Sequence, residues 1–246
     1  MSKKGFVYNS SPQIISLNPS WYYNWGTQNL PLIKDIPFTP MIWGNGNVKL
    51  KLSQIPSSAT ELLMYNEPDG NQPGAQSNVS IQTALQNWST FKTTGLRIGS
   101  IASSQNPLSN VYTPNDGSSP LTTSYFDSLW TQLTNAGMQP DFIALHWYAP
   151  PNATGFLNWI DNIHTKYKKP IWVTEMCVAD WSGKSKFTTA QTQTFMDEVF
   201  AGMNSRDYVE RYTWKTRPIS DVYMGQGALF NDDGSLTALG EHYSQL

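Results

Sequence analysis

Phe142-Ile143-Ala144-Leu145-His146-Trp147 and Ile171-Trp172-Val173-Thr174-Glu175 are two short apolar runs, and Phe156, Ile160, Ile163 and Tyr167 lie between them. Consecutive apolar residues over four to six positions are the pattern of a strand buried on both faces, since a parallel sheet covered by helices has no wet side. The four residues between the runs recur at three- and four-residue spacing, so they share one side of a helix. Strand, helix and strand in roughly thirty residues make one unit of a parallel sheet. The same reading extends outward. It gives strands at residues 5–9, 21–25, 40–43, 62–66 and 97–101 before this unit, and at 209–214 after it. Helical stripes fall at Ile81, Leu85, Trp88 and Phe91, at Phe126, Leu129, Trp130 and Leu133, and at Phe195, Met196, Val199, Phe200 and Met203. Thr188 with Gln191 has the spacing of a capping box, and residues 236–243 supply a short last helix. Eight strands in 246 residues predict an α/β fold, a single (β/α)8 barrel forming one domain over residues 1–246. The helices of the first units are short or missing. A doubly wound open sheet is the alternative. It usually carries an early Gly-rich phosphate turn, whereas Gly44-Asn45-Gly46 lacks both a third glycine and a following helix.

Composition narrows the classes. Charged residues are 14% of the chain, aromatics 13%, and the formal net charge is −2. The aromatic content excludes a disordered chain. No run of Lys and Arg provides an electrostatic footprint for nucleic acid or an anionic membrane. Cys177 is the single cysteine, so neither an intrachain disulfide nor a paired-cysteine metal site can form. The three histidines, His146, His164 and His242, have no metal-binding spacing, and no metal or cofactor is expected. Residues 1–5 hold no apolar leader, and nowhere do about 18 apolar residues run together. The Asn/Ser/Thr-rich, charge-poor composition suits an extracellular monomer whose leader is absent from this sequence. Asn9, Asn78, Asn87 and Asn152 stand in glycosylation sequons, which matter only in a source that glycosylates secreted proteins.

Two of the six glutamates follow apolar strand patterns. Leu62-Leu63-Met64-Tyr65-Asn66 leads to Glu67, then Pro68-Asp69, and Ile171-Trp172-Val173-Thr174 leads to Glu175. Counting strands puts them at the ends of the fourth and the seventh, and a barrel carries its active site at the C-terminal strand ends. A single Glu in such a place is more often a helix cap or a solvated rim residue. A pair, in Asn-Glu-Pro and Thr-Glu contexts, favours chemistry that needs two carboxyl groups. Cleaving an acetal is such a reaction. One carboxylic acid protonates the leaving oxygen, while a carboxylate attacks the anomeric carbon or activates water. Asn66 offers an amide to a sugar hydroxyl beside the reacting carbon.

Asn66-Glu67-Pro68 and Thr174-Glu175 resemble clan A of the glycoside hydrolases. The chain more closely resembles glycoside hydrolase family 128, the small endo-β-1,3-glucanases. The stretches that carry the likeness are Ser20-Trp21-Tyr22-Tyr23-Asn24-Trp25, Pro40-Met41-Ile42-Trp43-Gly44, Tyr65-Asn66-Glu67-Pro68-Asp69, His146-Trp147-Tyr148, Trp172-Val173-Thr174-Glu175 and Glu210-Arg211-Tyr212-Thr213-Trp214. The resemblance implies a retaining hydrolase of β-1,3-glucan, with Glu67 as acid/base, Glu175 as nucleophile and Tyr148 orienting the nucleophile. A β-1,4-glucanase or β-mannanase, or a barrel that binds β-glucan without cleaving it, are the rival readings.

Trp25, Trp43, Trp147 and Trp214 end strand patterns, and Trp181 follows Glu175 in a loop. Flat rings can cover the apolar faces of sugars, and equally can pack beneath loops. His146 shares a strand face with Tyr148, so it either meets substrate or a carboxylate, or sits neutral in the core. Trp88, Trp130 and Trp159 lie on helix stripes and are read as core. Asp69 and Asp116 either meet a hydroxyl or fix turns.

Overall fold

The computed structural model describes residues 2–184 and 186–246. The elements run β1 (Lys4–Val7), α1 (Ser11–Ser16), β2 (Tyr22–Tyr23), α2 (Val48–Ser53), β3 (Glu61–Asn66), α3 (Ile81–Lys92), β4 (Arg97–Ala102) and α4 (Tyr125–Asn135). They continue with β5 (Ile143–Ala149), α5 (Ala153–Tyr167), β6 (Ile171–Val178), α6 (Thr189–Asn204), β7 (Val209–Trp214), a 3-10 turn at Gly225–Gly227 and α7 (Ala238–Gln245). One sheet has the order β2-β1-β7-β6-β5, and β3 pairs with β4 in a second. The β1–β7, β6–β7 and β3–β4 pairs are all parallel. This is the α/β class with parallel strands that the alternation predicts.

The expected third strand, at 40–43, contributes a single parallel bridge, Met41 to Leu63. Its backbone is nevertheless used. Pro40 O accepts Leu63 N–H at 2.9 Å, Met41 N–H reaches Gly26 O at 2.8 Å, and Ile42 N–H reaches Leu63 O at 2.9 Å. Pro40 has no N–H to give, which keeps the ladder from extending backwards. The stretch at 21–25 pairs as a strand only at Tyr22–Tyr23, and Trp25 beyond it turns to a φ of 58°. β6 runs further than expected. All eight of its residues are buried, so Glu175 lies within the strand and not after it.

The helices follow their stripes. Phe156, Ile160, Ile163 and Tyr167 of α5 are buried, as are Phe195, Met196, Val199, Phe200 and Met203 of α6. On α3 the buried line is Ala84, Trp88 and Phe91, shifted from Ile81 and Leu85. Side-chain oxygens cap four of these helices. Ser80 accepts Thr83 N–H, Ser124 accepts Asp127 N–H, Asn152 accepts Gly155 N–H and Thr237 accepts Gly240 N–H. α6 has the full capping box, with Thr188 and Gln191 each holding the other's backbone. The first helices, α1 and α2, have six residues each, and α2 buries none of them.

The chain divides into two compact units. The first is the chain up to Tyr22 with Leu30–Pro37 and His146–Leu246, and the second is Tyr23–Asn29 with Phe38–Leu145. In the first unit Trp21 lies over Gly5, where any Cβ would overlap the indole. Its ring packs on Trp172 at 5.3 Å, and the Arg211 guanidinium covers Trp172 at 4.2 Å. Part of the aromatic motif at 20–25 is thus explained by packing. In the second unit Tyr65 and Trp88 are fully buried, each with its ring edge-on to Phe91.

Candidate active site

In the second unit, β3 ends at Asn66 and Glu67 adopts a φ of 45°. That region is uncommon for a residue with a Cβ, and a following proline ordinarily holds its predecessor extended. The surroundings enforce it. Glu67 N–H reaches Ala102 O at 2.8 Å, and Gly70 N–H returns to Glu67 O at 3.1 Å. Glu67 is half-buried, and its Oε2 accepts from Gln76 Nε2 at 3.0 Å. Asn66 is buried, and its Nδ2 donates to Ala75 O at 2.8 Å, so its amide holds the loop behind Glu67. Trp43, half-buried, accepts Asn66 N–H on its carbonyl at 2.9 Å. Trp25 stands edge-on to Tyr23 at 5.8 Å.

Asp69 is a tether. It is buried and accepts Ser104 N–H at 2.8 Å, Ser104 Oγ–H at 3.0 Å and Gln105 N–H at 2.8 Å. Burial pushes its carboxyl above the usual range, while those hydrogen bonds pull the other way. Asp116 accepts Ser118 N–H at 3.0 Å, the role of a turn residue.

In the first unit, Glu175 is buried at 5% exposure. Tyr148 O–H donates to its Oε2, and His146 Nε2 lies 3.8 Å from its Oε1. Strand alternation puts His146 and Tyr148 on one side of β5. Trp147, one residue out of phase, packs its ring against Phe156 at 5.2 Å and Trp159 at 5.1 Å. It therefore covers α5. Trp181 is 59% exposed, and its indole N–H donates to Tyr148 O at 2.9 Å. Tyr223, which sequence reasoning missed, lies beside it at 5.6 Å and is also exposed. No local pattern marks Tyr223, because it reaches Trp181 through a loop.

Trp214 departs from its expected role. It is fully buried, its Nε1–H donates to Gly227 O at 2.9 Å, and its ring packs near Phe195, so it has no face for a sugar. The cause is its register. As the last residue of β7 it points into the layer beneath the 225–227 turn. His164 stacks on Tyr208 at 4.0 Å, and His242 meets Asp197 at 2.5 Å. Among the described residues no group of three or more His, Cys, Asp or Glu side chains is placed to hold a metal ion. No described helix is long and apolar enough to cross a membrane.

The chain belongs to the family described as the glycosyl hydrolase catalytic core, whose model matches residues 5–243. Solved structures make the likeness narrower. A family 128, subgroup I endo-β-1,3-glucanase from Amycolatopsis mediterranei, in complex with laminaripentaose, matches at a TM-score of 0.81 and 25% identity, covering 99% of each chain. A subgroup VII oligosaccharide-binding protein from Cryptococcus neoformans shares the fold at a TM-score of 0.76 and 21% identity, covering 99% of this chain and 93% of that one. Among curated proteins, alkali-sensitive linkage protein 1 of Schizosaccharomyces pombe is 26% identical over 239 residues. Those residues are 95% of this chain and 41% of that protein, so the chain spans about two fifths of this relative's length. The resemblance to family 128 drawn from the motifs is borne out.

Proposed function

We propose that the chain is a retaining, endo-acting hydrolase of β-1,3-glucan, with Glu175 as nucleophile and Glu67 as acid/base. The observation that carries this reading is the Tyr148 hydroxyl donating to Oε2 of a buried Glu175. A donor of that kind fixes the plane of the carboxylate and favours its charged form. In the first step a Glu175 oxygen gives an electron pair to the anomeric carbon. The bond to the glycosidic oxygen breaks, and the Glu67 proton passes to that oxygen. In the second step Glu67 takes a proton from water, whose oxygen displaces Glu175 and restores the starting configuration. The exposed Trp181 and Tyr223 rings suit the apolar faces of a glucan. Extracellular action on the polysaccharide accords with the charge-poor composition.

The test is incubation with laminarin, with the anomer of the first product followed by NMR. The β-anomer is expected, and the α-anomer would overturn double displacement. Cleavage of β-1,4-glucan or β-mannan with laminarin left intact would move the reading to another clan A activity. Tight laminarin binding with no new reducing ends would make the chain a binding protein. Glu175→Ala abolishes turnover, and azide restores part of it as an inverted glycosyl azide. Undiminished hydrolysis by that variant removes Glu175 from the mechanism.

A further inference from the structure

The loop after β3 carries a side chain that neither the motifs nor the carboxylate pair account for. Gln76 lies nine residues beyond Glu67, and its carboxamide is held at both ends. Its Oε1 accepts Gln72 N–H at 3.0 Å, and its Nε2 donates to Glu67 Oε2 at 3.0 Å. The orientation of the amide is not arbitrary. A backbone N–H can only donate, so the oxygen end must face Gln72 and the nitrogen end must face Glu67. The path between these ends crosses Gly70, where a Cβ would overlap Oε1, Cδ and Nε2 of Gln76. Gly70 N–H also closes a turn on Glu67 O at 3.1 Å, and Gln76 N–H closes another on Gln72 O at 2.9 Å. Three loop residues thus shape a bracket around one carboxylate oxygen.

We propose that Gln76 is a positioning residue for the Glu67 carboxyl group. It holds Oε2, so that Oε1 is the oxygen that delivers and later receives the catalytic proton. The assignment rests on the acid/base reading of Glu67. In a carboxylic acid the carbonyl oxygen is the better acceptor, so with Gln76 N–H donating to Oε2 the acid form carries its proton on Oε1. In the first step the O–H bond at Oε1 breaks, its electron pair stays on the carboxylate, and the proton goes to the departing glycosidic oxygen. In the second step Oε1 takes a proton from the attacking water. Gln76 donates to Oε2 throughout and exchanges nothing.

A bracket of this kind matters only where the leaving oxygen needs a proton. 2,4-Dinitrophenolate leaves without one, so 2,4-dinitrophenyl β-laminaribioside separates positioning of the acid from a general role in the loop. For Gln76→Ala, kcat on laminarin is expected to fall about ten- to a hundredfold, with KM within about twofold. The pre-steady-state release of dinitrophenol keeps the wild-type rate. Gly70→Ala, which bars the path of the carboxamide, gives the same pattern. The double variant is no worse than either single one, since both break one device. If Gln76→Ala does not melt cooperatively, Gly70→Ala carries the comparison. Equal losses on laminarin and on the dinitrophenyl glycoside overturn the proposal, because the loop is then only structural. So does wild-type laminarin hydrolysis by Gln76→Ala beside a crippled Glu67→Ala. Full laminarin hydrolysis by Glu67→Ala itself is a different failure, that of the acid/base reading.

Discussion

Glu175 shows how much of a residue's chemistry comes from its neighbours two positions apart on an adjacent strand. Tyr148 of β5 donates to one of its carboxylate oxygens, His146 Nε2 stands 3.8 Å from the other, and Trp181 in turn holds the Tyr148 carbonyl. A hydrogen bond to a charged acceptor contributes about 1.5–3 kcal/mol. Tyr148→Phe is therefore expected to lower kcat on laminarin by roughly ten- to a hundredfold and the melting temperature by several degrees. Steady-state kinetics beside a thermal melt checks this. Trp181 is more than half exposed, so removing its ring forfeits little burial. For Trp181→Ala the expected change is a KM several-fold higher at a similar kcat. A large drop in kcat at unchanged KM would place the ring's role with Tyr148 and not with the sugar.

Helix α6 illustrates what a local pattern secures at the scale of an element. Its five buried apolar residues and its capping box both follow from sequence spacing, and both are present. Thr188→Ala removes one cap and should cost about 1 kcal/mol. In a chain of this size that is a fall in melting temperature of roughly 2–4 °C, measurable by calorimetry. Elements were harder to read where one residue redirects the backbone. Trp25 and Glu67, both at positive φ, end their strands for reasons that reside in loops packed against them. In β6 the buried run through Met176 and Cys177 extended the strand past Glu175, because Met176 O pairs with Lys215 N–H at 2.8 Å.

The whole molecule responds to pH through its buried phenols. Burial pushes the Tyr65 and Tyr212 hydroxyls up to about 12. In the unfolded chain they ionise near 10, so between about pH 10 and 12 the folded state binds more protons than the unfolded state. The stability they contribute is full below pH 10 and is lost as pH rises to 12. Urea midpoints measured across that window should fall, and should fall less steeply in Tyr65→Phe. Burial also pushes the Cys177 thiol far up, which removes its nucleophilic form. A thiol reagent at pH 8 should leave native Cys177 untouched and label it fully in denaturant. Fast labelling of the native protein would contradict its burial.

Periodicity established the parallel α/β class and the positions of most strands and helices, and with the Asn-Glu-Pro and Thr-Glu contexts it singled out Glu67 and Glu175 as the two carboxyl candidates. Those features are local, since backbone period and apolar spacing decide them. Which aromatic rings stay exposed was not legible. Trp214 at a strand end and Trp181 in a loop were both candidates for a sugar face, yet one is fully buried and the other mostly exposed, because a later turn covers only the first. Tyr148 on Glu175 was already implied by the resemblance to family 128, but Gln76 on Glu67 and Tyr223 beside Trp181 waited for the tertiary structure. Each contact depends on where loops bring side chains that are distant in sequence or that no pattern marks.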